Sequence, residues 1–199
     1  MSDGIPVAAL LPDAYLPGQL FAMVRADAGL MACLRAARSL ELPDWYLAAG
    51  CIRNLVWDRL HGYSEPSGAQ DIDLVYFDPA SPPERDLDLE HQLNRAYPAG
   101  WEVVNQAHVH RWYRGPQGDP ITQLKSTLDG LSRWPEQATC IGLRLDAKDV
   151  LKLAAPCGLE DLFALRWRRN PRFADSATVL RRAEEKRVAA RWPRVLIGD

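Results

Sequence analysis

The chain has 199 residues, 47% of them hydrophobic and 25% charged, with 24 Lys and Arg against 26 Asp and Glu for a formal net charge of −2. That apolar content excludes a disordered chain, and the length suits one substantial domain. The near-balance of charge excludes an overall basic field, so any nucleic-acid contact has to come from a local patch.

The opening MSDGIPVAALLPDAYLPG lacks a basic start, and Pro12 and Asp13 break its short apolar run, so it reads as neither a secretion signal nor a membrane span. Cys33, Cys51, Cys140 and Cys157 are widely spaced, with no C-x-x-C pair and no zinc-finger cluster. Free thiols in a cytoplasmic protein that does not engage a membrane are the expectation.

From about Pro17 to Leu40 the apolar residues Leu20, Met23, Val24, Leu30, Cys33, Leu34 and Ala37 fall at helical spacing, and Asp27 is placed to cap a second helix. LPDWYLAAG reads as a short buried strand ending at Gly50. CIRNLVWDRLHG follows as a helix with Ile52, Leu55, Val56 and Leu60 on one face and Gly62 as its stop. After the turn-rich YSEPSGAQ, DIDLVYF is a strand of high β propensity, and the prolines of SPPERDLDLEHQLNRAYP suit a helix start. WEVVN is a third strand, trailed by a helix-like QAHVHRWYR and a turn at GPQGDP. ATCIGLRLD and DVLKLAAP pair as a hairpin through AKD, and after LEDLFALRWRR a charged terminal helix runs from about Asp175 to Arg191. Alternating strands and helices predict a mixed α/β arrangement of the α+β class, a small mixed sheet flanked by helices. The expected organisation is one domain over 1–199, with a helical lead-in (1–41), a core (42–112) and an α+β part (113–199).

A strand that stops at Gly50 and feeds directly into a helix presents free N–H groups and the positive end of the helix dipole, a ready site for phosphate. Glycine there leaves the backbone open to close approach, and Arg53 in the first turn adds a fork of donors or braces the turn. Within DIDLVYF, Asp71 and Asp73 share one face about 7 Å apart along the strand, opposite Ile72, Leu74 and Tyr76. Two adjacent carboxylates repel unless a cation offsets them, and hard divalent metals prefer such oxygen donors, with Mg²⁺ first and Mn²⁺ as an alternative. Helix opening and carboxylate pair together suit phosphoryl or nucleotidyl transfer.

AAGCIRNLVWDRLHG followed by DIDLVYF resembles the core of the polymerase-beta-type nucleotidyltransferase superfamily, a small-residue glycine turn, a helix, then D-h-[DE] on the next strand. The motif is closest in form to the CCA-adding and poly(A) polymerase branch. With WEVVNQAHVH, WPEQATCIGLRL and GLEDLFALRWRRNPRF, the chain resembles more specifically a family of small, uncharacterised bacterial proteins of that superfamily, over roughly residues 40–195. The resemblance implies a nucleotidyltransferase fold and a metal-dependent transfer of NMP from an NTP to an unidentified hydroxyl acceptor, whether small molecule, protein or RNA. It implies that Gly50, Cys51, Arg53 and Asn54 cradle the nucleotide and that Asp71 and Asp73 hold the metal. A third carboxylate on a later strand belongs to the superfamily pattern. Glu102 and Asn105 are the candidates on WEVVN, and their odd separation allows one of them to face the metal. The departures are a single glycine between Ala49 and Cys51, and the lack of downstream RNA-binding regions, so CCA addition is not expected. A catalytically weak nucleotide-binding module of the same fold is the alternative.

His108 and His110, two apart, do not match H-E-x-x-H spacing and read as structural or surface residues, with a role for His110 near substrate as the alternative because the segment directly follows the third strand. The run LRWRRNPRF, with Arg166, Arg168, Arg169 and Arg172 beside Trp167 and Phe173, reads as a solvated helix end, with a nucleic-acid surface as the other possibility. RRAEEKR reads as ordinary solvated helix.

Overall fold

The computed structural model describes residues 15–68 and 71–198. The opening stretch read above as neither signal nor span therefore lies largely outside the described residues, as does the end of YSEPSGAQ. Helices α1 (Leu16–Ala26) and α2 (Ala28–Arg38) meet at Asp27, whose carboxylate accepts the Leu30 N–H at 2.8 Å, the cap expected from the sequence. Strand β1 (Tyr46–Ala48) leads into α3 (Gly50–His61), which ends at Gly62 in the left-handed region, φ 75°, a conformation that costs little without a Cβ.

Strand β2 (Asp71–Tyr76) and β3 (Gly100–Asn105) run parallel, and a parallel pair needs a crossover, supplied by α4 (Arg85–Ala96). The anticipated hairpin is present as β4 (Gly142–Leu145) and β5 (Leu151–Ala154), its loop pinned by the Asp146 carboxylate, which accepts the N–H groups of Lys148 and Val150. The five strands form one mixed sheet in the order β3-β2-β1-β4-β5, flanked by helices.

The two faces of this sheet differ as the alternation of β2 requires. Ile72, Leu74 and Tyr76 join Leu47, Trp101, Val103 and Leu143 in a core against α1, α2 and α3. Cutting Leu74 to Ala in that fully buried layer would cost about 2–5 kcal/mol. Asp71, Asp73 and Val75 occupy the other face.

Short elements roof that second face: α5 (Val109–Trp112), α6 (Thr127–Leu131) and a 3-10 turn at Gln137–Thr139, while α7 (Glu160–Phe163) packs on α3. Two-residue strands β6 (Arg166–Trp167) and β7 (Leu196–Ile197) pair in parallel. The expected terminal helix is two helices, α8 (Ser176–Glu185) and α9 (Val188–Arg191), broken where Arg187 turns left-handed at φ 52°. QAHVHRWYR is helical only over α5, because Asn105 and Ala107 spend their backbone and side-chain groups on a tight turn after β3. Among the described residues no helix is long and apolar enough to cross a membrane.

Candidate active site

The open face of the sheet floors a cavity of about 720 Å³, within the range that holds a small organic ligand. Asp71, Asp73, Val75, Glu102, Val104 and Gln106 lie along its floor. The parallel register sets Asp73 directly beside Glu102, so the two side chains emerge on the same face of neighbouring strands. Burial, then the charge of Glu102, then that of Asp71 push the Asp73 carboxyl up to about 6. Lys186 and the Gly50 N–H oppose the shift.

The same register decides between the two candidates on β3. Glu102 lines the cavity, whereas Asn105 turns to the opposite face and is 1% exposed. Its amide accepts the N–H groups of Asp78 and Ala107 and donates to the Asp78 carbonyl at 2.8 Å, which makes it a brace for the chain leaving β2.

At the mouth of α3, Ala49 carries the strand-to-helix turn at φ 53°, a strained value for a residue with a Cβ, and Gly50 opens the helix toward Asp73. A Cβ built on Gly50 would stand 4.0 Å from the Asp73 Oδ2, projecting into the space between helix and carboxylate. Cys51 takes no part in lining the cavity: its thiol is fully buried, donates to the Ala48 carbonyl at 3.2 Å, and is held well above its ordinary pKa by burial.

Arg53 lines the cavity from an unusual seat. Its guanidinium lies 5.4, 5.2 and 5.4 Å from the ring centroids of Trp57, Trp167 and Trp192, and its Nε and Nη2 both donate to Asn54 Oδ1. The indoles are fixed in turn, since their N–H groups donate to the Leu162 carbonyl, the Val179 carbonyl and the Asp58 carboxylate. Burial lowers the Arg53 pKa to about 10, with Glu136 opposing, so the group stays charged at neutral pH. Its Nη1 is buried with no hydrogen-bond partner among the described residues, and so is the Nε of Arg191, which also lines the cavity and stacks on Trp192 at 4.2 Å. Two orphaned cationic donors beside a cavity are what an anionic ligand would satisfy.

Sequence reasoning passed over the cations that complete this wall. RRAEEKR is not simply a solvated face: Arg182 pairs with the fully buried carboxylate of Glu136, and Lys186 lies near enough to Asp73 to act on its charge. The pointer was there, in that Arg182 on α8 and Lys186, the residue that caps its C-terminus, are four apart beside the buried Ala183. LRWRRNPRF is not the solvated helix end expected either, since it opens as strand β6 and continues without a helix. Trp167 is fully buried, Arg168 makes a bidentate pair with Asp161, Arg169 donates to the Phe173 carbonyl, and Arg172 turns to the cavity. His108 is a buried structural residue whose Nε2 meets the Ser81 carbonyl at 2.7 Å.

Among the described residues no three Asp, Glu, His or Cys groups already converge closely enough to cage a cation. The donor set nevertheless suits a divalent one. All three carboxylates are hard oxygen donors, they repel one another, and Mg²⁺ is ordinarily held by one or two carboxylates together with water and substrate phosphates.

Acidic residues on adjacent parallel strands, facing a glycine-opened helix, define a nucleotidyltransferase type of fold. A solved structure described as an NMR structure that "reveals a CCA-adding enzyme head domain" is similar to this one, with a TM-score of 0.77 and 30% sequence identity over 92% of this chain and 95% of that chain. A family model described as nucleotidyltransferase matches residues 35–197, and the chain belongs to that family. No curated protein matches it.

Proposed function

We propose that the protein transfers a nucleotidyl group from an NTP to a hydroxyl acceptor with Mg²⁺, or Mn²⁺ in its place, as the metal. The observation that carries this reading is that Asp71, Asp73 and Glu102 share one cavity wall with the open end of α3 and with the orphaned donors of Arg53 and Arg191. The triphosphate lies against the Gly50 turn, where backbone N–H groups and the helix dipole favour negative charge, and Arg53, Arg191 and Lys186 complete the cradle. Asn54 holds the Arg53 fork in plane and so fixes where Nη1 points. The indoles exclude water around that guanidinium, which strengthens its attraction for phosphate.

Asp71 and Asp73 are the residues that would hold the metal. Bound there, Mg²⁺ supplies charge neutralisation at the transferring phosphorus and its leaving group. Glu102, beside Asp73, accepts the proton of the acceptor hydroxyl as its oxygen bonds to the α-phosphorus. The bond from that phosphorus to the bridging oxygen breaks, pyrophosphate leaves, and Glu102 returns the proton to solvent. Most of the acceleration comes from positioning and preorganised charge.

Calorimetric titration of each NTP, with and without Mg²⁺, tests the reading. Wild type should bind in a metal-dependent way and release pyrophosphate with a competent acceptor, and Asp71→Asn/Asp73→Asn should do neither while keeping its fold. Absence of NTP binding by wild type would sink it. A nucleotide-binding module without turnover is the second reading. It predicts NTP binding with no pyrophosphate release from any acceptor.

A further inference from the structure

The cavity differs in character from one end to the other. β1 runs antiparallel to β2 with Ala48 beside Asp73, so the Gly50 turn lies toward the Asp71 end of the floor. Arg191 belongs to that end as well, because its guanidinium reaches Ser67 and covers Gly68 just ahead of β2. In the other direction the floor turns apolar through Val75 and Val104 to Gln106, about 13 Å beyond Glu102 at the rise of an extended strand. The wall there is built by Val109, Trp112, Tyr113, Ile121 and Leu124. Arg133, at the same end, is already held by a bidentate pair with Asp129 and by Thr122.

Trp112 is 62% exposed and Tyr113 37% exposed, and their rings meet edge to face with centroids 6.1 Å apart at 89°. Both residues line the cavity and keep part of their aromatic surface uncovered. Large aromatic surfaces left open next to a polar site mark places where a flat ligand is held.

Direction comes from the chemistry. In nucleotidyl transfer the entering and leaving oxygens lie roughly in line through phosphorus. With pyrophosphate departing toward the Gly50 turn, the attacking hydroxyl comes from the opposite side, which is the Trp112–Tyr113 end. We propose that Trp112 and Tyr113 form a stacking subsite for the acceptor, and that the acceptor is a small hydroxyl compound carrying a flat aromatic or heteroaromatic ring. The assignment of the subsite to the acceptor rests on the nucleotidyl transfer proposed above. The existence of a flat-ring site does not.

The test uses two neutral hydroxylated probes, adenosine and N-acetyl-tyrosinamide, with glucose as a hydroxylated ring that is not flat. Binding to the whole protein is measured by calorimetry with Mg²⁺, with and without the α,β-methylene analogue of whichever NTP binds, since that analogue cannot transfer its nucleotidyl group. Wild type should bind at least one flat probe and not glucose, the probe should bind alongside the analogue, and which probe it is separates a nucleoside from a phenol. Trp112→Leu/Tyr113→Leu, two changes at exposed positions, should weaken that probe at least tenfold while leaving the analogue within threefold. Binding of neither flat probe, equal binding of glucose, or loss of the analogue in step with the probe would overturn the proposal. The last result would give the pair to the base of the nucleotide. Were no NTP to bind, the transfer reading would fall, and loss of the flat probe in the double variant would still establish the subsite.

Discussion

Replacing Asp73 with Asn should make the metal-free protein more stable at neutral pH. The folded-state pKa of Asp73, about 6, stands above its ordinary value of 3.8, because burial and the neighbouring Glu102 and Asp71 charges disfavour ionisation. Between those two values the folded state holds more protons than the unfolded state, so stability falls as pH rises through this window and the full penalty is in place above about 6. At 1.36 kcal/mol per unit, the gap amounts to about 3 kcal/mol as a ceiling at pH 7.5 and about half that at pH 5. Asn keeps the shape and an oxygen to accept the Gly50 N–H, so little else is lost. Urea unfolding of wild type and Asp73→Asn in the presence of chelator, at both pH values, reads the difference directly. A variant less stable than wild type at pH 7.5, or a gain that is the same at both pH values, would refute the reasoning.

Gly50→Ala should leave unfolding free energy within about 0.5 kcal/mol, since the new Cβ meets Asp73 Oδ2 only at 4.0 Å and Ala favours a helix, yet weaken NTP binding at least tenfold in calorimetry. Arg53→Lys keeps the charge but loses the planar fork on Asn54 and the fit between three indoles. It should cost about 2 kcal/mol in urea unfolding and shift the tryptophan emission. Among the cysteines, Cys157 should be alkylated first at neutral pH, as peptide mapping by mass spectrometry would show. It is half-buried, and a hydrogen bond from the Cys140 thiol, aided by the Arg172 charge, holds its pKa below the ordinary value, whereas the other three thiols are buried.

What could be read from the sequence was whatever local periodicity or local chemistry encodes. Asp27 announced itself as a cap because a short polar acceptor stood between two helical patterns, and its bond to Leu30 spans three residues. Asp71 and Asp73 were legible because a period of two put both on one face of an otherwise apolar strand. Parity could take the third carboxylate no further than a choice between Glu102 and Asn105. The choice needed the partner strand, since only the register that sets Asp73 opposite Glu102 says which parity faces the cavity. The surroundings of Arg53 were illegible for a different reason: Trp57 is one turn away, but Trp167 and Trp192 arrive from the far end of the chain. Strands β6 and β7 are two residues each, too short to carry an alternation. Trp112 and Tyr113 read only as part of a helix-like run, because nothing local shows that a ring is left uncovered.

The indole enclosure of Arg53 also bears on how the chain is made. Its walls come from α3, from β6 and from the residue just after α9, and the bond from Trp192 to Asp58 spans 134 positions of sequence. The sheet needs the chain only as far as Ala154, so its strands can pair before Trp192 docks. Until then the Arg53 side chain stays wet and loosely held, and the nucleotide cradle it serves is unfinished. A chaperone or protease meeting the growing polypeptide would encounter a scaffold without a working pocket, so binding competence should appear only once Trp192 has docked on Asp58.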